Sequence, residues 1–172
     1  MSENAALTGN ERTFDGTITS ETDTKGLITA TNDLFREVSG YSDDELLGAQ
    51  HNIVRHPDMP KSVFRLLWKT IADGKKISAF VVNRAKNGDY YWVLAHVTPL
   101  VDDSGNITGY HSDREVPKKE SLDAVIPLYK QLLDEEAKHA NAKEGMEAST
   151  NMLMGVLDDK GVTYDELVQS LS

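Results

Sequence analysis

The stretch ISAFVVNRAKNGDYYWVLAHVTP, residues 77–99, decides what kind of fold this chain can adopt. Its halves, Ile77 to Arg84 and Tyr90 to Pro99, are rich in β-branched and aromatic residues, and Lys86-Asn87-Gly88-Asp89 separates them. Asn-Gly supplies the positive φ angles of a tight hairpin, so the halves are expected to pair as neighbouring antiparallel strands. A third strand, Ile107 to Glu115, follows the turn Asp102-Asp103-Ser104-Gly105. On the N-terminal side, Val63, Phe64, Leu67, Trp68 and Ile71 recur at three- and four-residue spacing between Lys61 and Ala72, a helical stripe ended by Asp73-Gly74. Ser42-Asp43-Asp44-Glu45 is a capping box that opens a short helix, and Asn32 to Val38 forms another that stops at Gly40. Before these stand two short β-prone runs, Ile18 to Glu21 and Leu27 to Ala30, around the turn Asp23-Thr24-Lys25-Gly26. Two strands, several short helices and three long strands predict an α+β fold, an antiparallel sheet with helices on one face.

Every aromatic residue except Tyr129 and Tyr164 lies between Phe14 and Tyr110. Aromatic side chains carry much of a core's buried area, so the main domain is expected at residues 13–116. Residues 1–12 are small and polar and read as a flexible lead-in. Residues 117–172 form a helical extension. Leu122, Val125, Ile126, Tyr129, Leu132, Leu133 and Ala137 make one stripe, which Pro127 is expected to kink or restart. A second helix is expected over Ala148 to Leu157, and the capping box Thr163-Tyr164-Asp165-Glu166 opens a last one. Their apolar stripes need a cover, which can be the chain's own sheet, a second copy or a receptor.

With 172 residues, the chain has room for one ordinary domain and a remainder. Lys and Arg number 18 against 28 Asp and Glu, a net charge of −10 spread over both halves. That balance counts against nucleic acid and against anionic membrane surfaces. There is no cysteine, which removes disulfides, thiolate zinc sites, thiol nucleophiles and cysteinyl photoadducts, and suits a reducing compartment. No apolar run reaches the roughly 18 residues of a membrane span, and Met1-Ser2-Glu3-Asn4 does not open a signal peptide. The expectation is a soluble cytoplasmic protein.

Enzyme motifs are missing, including the Gly-rich phosphate loops, G-x-S-x-G and H-E-x-x-H, so no catalytic residue is assigned. The unusual segment is His51-Asn52-Ile53-Val54-Arg55-His56-Pro57-Asp58-Met59-Pro60. It reads in two ways. In one, it is a loop in which Asp58 or Ser62 caps the following helix. In the other, it is the charged rim of a pocket, with Arg55 holding an anionic group bidentately and His56 donating a hydrogen bond.

The run Ile28-Thr29-Ala30-Thr31-Asn32-Asp33-Leu34-Phe35 through Val38-Ser39-Gly40-Tyr41 resembles the opening of a PAS domain. Three further blocks narrow the likeness to the flavin-binding PAS domains of bacterial aerotaxis receptors: Asn52 to Pro60, Asn83 to Val93, and Gly109-Tyr110-His111-Ser112. The resemblance implies a five-stranded antiparallel sheet with FAD held between it and the short helices. By position, Arg55, His56 and Asp58 match the motif tied to flavin retention, and Asn32 and Asn83 match polar residues near the cofactor. Trp68 and Trp92 are the aromatic candidates and read as core packing before ring stacking. One departure stands out: Lys75-Lys76-Ile77-Ser78 occupies the place where family members often carry a tryptophan.

The resemblance therefore implies a redox or energy sensor, not an enzyme, that binds FAD and signals by contact to a chemoreceptor or another transducer. A homodimer through the C-terminal helices is the other expected contact. Two alternatives keep the fold. One is a haem-bound gas sensor with His56, His96 or His111 as axial ligand. The other is a cofactor-free interaction module, which the replaced tryptophan favours. No protein-bound metal ion is expected apart from haem iron.

Overall fold

Gly88, at φ +96°, closes the expected hairpin. Strands β3 (Ile77–Arg84) and β4 (Tyr90–Val101) pair antiparallel from Ile77↔Val97 to Arg84↔Tyr90. The computed structural model describes residues 4–172, so the first three residues of the expected lead-in lie outside the described residues. Thr8 to Arg12 runs along this hairpin: Thr8 donates to the Gly88 carbonyl, Tyr90 to that of Asn10, and Arg12 to that of Tyr90.

Strand β5 (Ile107–Glu115) pairs with β4 on one side and with β1 (Ile18–Asp23) on the other, and β2 (Ile28–Thr31) pairs with β1. The sheet is five-stranded and antiparallel, in the order β2-β1-β5-β4-β3. Alternation along the strands turns Val81, Asn83, Ala95, Val97, Tyr110, Ser112 and Arg114 to the inner face. It turns Phe80, Trp92, His96 and His111 to the outer face.

The inner face is covered by α1 (Asp33–Ser39), α2 (Asp43–Leu46), a single 3₁₀ turn at His51–Val54, and α3 (Lys61–Ala72). Of the two expected capping boxes, the one at Ser42 forms in full, with Glu45 also accepting from the Ser42 N–H, whereas Thr163 caps its helix without the reciprocal backbone bond from Glu166. Ser42 accepts from the Glu45 N–H, and Thr163 from the Glu166 N–H. Helix α3 is different: neither Asp58 nor Ser62 caps it, and Pro60 has no side chain to do so.

The C-terminal extension folds back onto its own domain. Helix α4 (Lys119–Ala137) lies on the outer face, where Trp92 packs against Tyr129, ring centroids 6.0 Å apart. It passes through Pro127 as one helix, because the proline sits on the exposed side and only its own N–H is missing from the ladder. Helix α5 (Ala142–Lys160) starts six residues before the expected Ala148, since Gly145 weakens the helical signal there. It packs against α3 and α4, and α6 (Tyr164–Leu171) packs against β3. The buried Tyr129 hydroxyl donates to the Phe80 carbonyl at 2.6 Å and lies 2.6 Å from the Tyr164 hydroxyl.

Both sheet edges are occupied. On β3 the Ser78 N–H donates to Asp165 of α6 at 2.7 Å, and Asn83 bridges to Arg55. On β2 the backbone of Ile28 is bonded by Gly48 and Ala49. Among the described residues no helix is long and apolar enough to cross a membrane.

Candidate functional site

A cavity of about 690 Å³ opens between the inner face of the sheet and α3. Its floor is the strand set Val81, Asn83, Ala95, Val97, Ser112 and Arg114. Leu67, Trp68 and Ile71 of α3 and Val54 of the 3₁₀ turn form an apolar wall. This size and mix, largely apolar with a few convergent polar groups, are those of a small-molecule site.

Charge sets the cavity apart from the rest of the chain. Lys25, Arg55, Lys61, Arg65 and Arg114 all line it, and no described Asp or Glu does. Yet the chain carries a net charge of −10. The deepest of these cations, Arg114, is 4% exposed. Its Nη2 donates to Ser20 Oγ and its Nη1 to His51 Nε2, both at 2.9 Å, and its guanidinium lies 4.7 Å over the Phe35 ring. Its Nε is buried without a partner. Burial lowers the Arg114 pKa to about 10, against the pull of Tyr91 and Asp113, so the side chain stays charged at neutral pH.

His51 follows from Arg114. A guanidinium can only donate, so His51 Nε2 accepts and its proton is assigned to Nδ1. The ring stacks on Phe35, centroids 5.8 Å apart. Burial first, and then the Arg114 charge, pushes its pKa down to about 3. His51 is therefore a neutral polar wall, not a titrating group near pH 7.

Three of the expected site residues meet at this cavity. Asn83, 5% exposed, stands on the floor. Arg55 is at the mouth, its guanidinium 4.5 Å over the Phe64 ring and its pKa lowered by burial. Trp68 lines the wall and meets Tyr110 edge-on, centroids 5.7 Å apart. Gly26 makes room for it, since a Cβ there would stand 3.1 Å from the Trp68 ring.

The other expected residues do not reach the cavity. Asn32 caps α1, accepting from the Phe35 N–H and donating to the Thr17 carbonyl. His56 is buried, with Nδ1 accepting from the Asp58 N–H at 3.0 Å and its ring edge-on to Tyr90. Burial lowers its pKa more than Asp58 raises it. The Asp58 carboxylate is exposed. These two residues shape the turn that carries Arg55, while Trp92 belongs to the α4 interface. The histidines proposed as haem ligands are likewise misplaced for that role. His96 bonds Ser78 and Glu115, and His111 bonds Glu21 and Asp113, all on the outer face. The histidine at the cavity is His51, which no sequence signal separated from its neighbours. Arg114 also went unseen, because its charged run His111 to Glu115 reads as solvated until the register assigns faces.

A family model described as PAS fold matches residues 28–112. The aerotaxis receptor of Escherichia coli is 50% identical over 118 residues, which is 69% of this chain and 23% of the receptor. The nitrogen fixation regulatory protein of Klebsiella pneumoniae is 26% identical over 89 residues, 52% of this chain and 18% of that one. The chain thus spans about a quarter or less of these relatives' length. Among solved structures, the light state of the Aureochrome1 LOV domain, a blue-light photoreceptor, superposes with TM-score 0.57 at 24% identity, covering 64% of this chain and 88% of the other. A light-oxygen-voltage domain studied with a flavin analogue gives TM-score 0.59 at 18% identity, with coverages of 66% and 87%. Sheet order, inner helices and sequence agree, and the chain belongs to the PAS family, with a PAS domain of the aerotaxis-receptor type.

Proposed function

We propose that the cavity binds FAD and that the chain is a redox or energy sensor that acts in the cytoplasm. The observation that carries this reading is the lining of five cations without a described carboxylate in an otherwise acidic chain. Such a lining is suited to a ligand that combines a flat ring with phosphates. Apolar residues of α3 and the strands offer the ring its walls, Asn83 faces it from the floor, and Arg114 sets a fixed positive charge beside it. Arg55, Lys61 and Arg65 stand where phosphates would leave the mouth. FAD, when bound, supplies reversible electron uptake with a change of charge on its ring system. Arg114 and the neutral His51 are positioned to respond to that change through their hydrogen bonds. The likeness to the aerotaxis receptor and to a light-oxygen-voltage domain studied with a flavin analogue points the same way.

The signal would pass by contact to a chemoreceptor or another transducer, with the C-terminal helices as the output surface and dimerisation as an alternative use. No catalysis is assigned. Haem finds no support in the placement of His56, His96 and His111. A cofactor-free module is harder to reconcile with a buried guanidinium whose Nε has no partner. The visible spectrum after incubation with FAD tests the reading: flavin bands retained through gel filtration are expected, and a folded protein that stays colourless overturns it.

A further inference from the structure

Helix α3 has a cap supplied from far along the chain. The Lys61 N–H donates to both carboxylate oxygens of Glu136, each at 3.1 Å, from the last turn of α4. The same carboxylate accepts from Ser149 Oγ of α5 at 2.8 Å. One side chain therefore joins the head of α3, the end of α4 and the middle of α5. Arg55 lies within reach of its charge. Helix α5 also comes to the mouth of the cavity, where Met146 joins Lys61 and Arg65 in the lining. Next to it Gly145 packs backbone to backbone, and a Cβ there would stand 2.7 Å from the Glu136 carbonyl.

Arg55 and Lys61 line the cavity mouth, and the first N–H of the 12-residue helix α3 is held by Glu136, which stands just behind that lining. Taking the reading that the cavity binds a flavin nucleotide, we infer that Glu136 and α5 form a clamp that the nucleotide's phosphates displace. Two anions cannot share one set of donors without strong repulsion, and the phosphate charge exceeds that of one carboxylate. When Glu136 leaves, α5 loses the hydrogen-bonded bridge from Ser149 to the head of α3, and Met146 withdraws from the mouth. A flavin without phosphates fills the depth of the cavity and leaves the clamp shut. The extension is then the element that reports occupancy, and the specific device is Glu136.

Hydrogen exchange on the full chain, with FAD or riboflavin added, tests this. Flavin binding is followed separately by fluorescence quenching. FAD is expected to raise exchange over residues 142–160, and riboflavin to leave it unchanged. Bound FAD with exchange over α5 unchanged or slowed overturns the clamp while leaving the flavin reading intact, whereas FAD that does not bind at all overturns that reading instead. Glu136→Gln should tighten FAD about fivefold, the scale of one exposed charge pair, without changing riboflavin affinity. An equal shift for both ligands, or weaker FAD binding, overturns the clamp. Gly145→Ala separates the helices without altering charge and should leave α5 exchange high whether FAD is present or not. Ligand-free exchange as slow as in the unaltered chain overturns the clamp.

Discussion

At the scale of single residues, Arg114 organises the site. It fixes the His51 tautomer, holds Ser20 and keeps its buried Nε without a partner. Hydrogen bonds to a charged group contribute about 1.5–3 kcal/mol, so Arg114→Met should weaken FAD binding by about tenfold or more, read by fluorescence titration. His51 gives a pH signature. Its pKa is about 3 in the folded chain and near the ordinary 6.5 when unfolded. Between those values the unfolded chain binds a proton that the folded one refuses, so stability is full above pH 6.5 and falls as pH drops toward 3. The slope from this group is at most about 1.4 kcal/mol per pH unit. Urea midpoints at pH 7 and pH 4.5 should differ less for His51→Gln than for the unaltered chain. His111 runs the other way. Burial opposes its charge, yet bonds to Asp113 and Glu21 outweigh burial and raise its pKa. Its contribution is present below pH 6.5 and lost as pH rises through the raised value.

At the scale of elements, what could be read directly was local. The Asn87-Gly88 hairpin, the capping box at Ser42 and the N-cap at Thr163 depend on residues within four positions of each other, and each is present. What could not be read was parity and distance. His96 and Trp92 lie on the outer face because of register, and one residue of shift would reverse them. The α3 cap lies 75 residues away in sequence, so no local pattern signals it. The joint between extension and domain is testable at one atom. Tyr129→Phe removes the bond to the Phe80 carbonyl and leaves Tyr164 without that partner. It should cost about 1–3 kcal/mol in urea denaturation, as expected for buried hydrogen-bonding groups left unmatched.

For the molecule as a whole, an acidic surface surrounds a cationic mouth. Exposed charges are screened over about 8–10 Å at moderate salt, whereas apolar contacts are not. FAD affinity should therefore fall as salt rises from 50 to 500 mM by several-fold more than riboflavin affinity does, measured by parallel titrations. Equal slopes would show that Arg55, Lys61 and Arg65 do not meet the phosphates. The occupied sheet edges bear on assembly. Asp165 takes the Ser78 N–H, Arg55 bridges Asn83, and residues 48 and 49 pair with Ile28, so each margin is engaged at one or two points. A strand from another chain would meet these margins already engaged at several points, which disfavours edge-to-edge polymerisation. Any specific partner must then read side chains, and its fit can change through substitution without the fold being opened to aggregation.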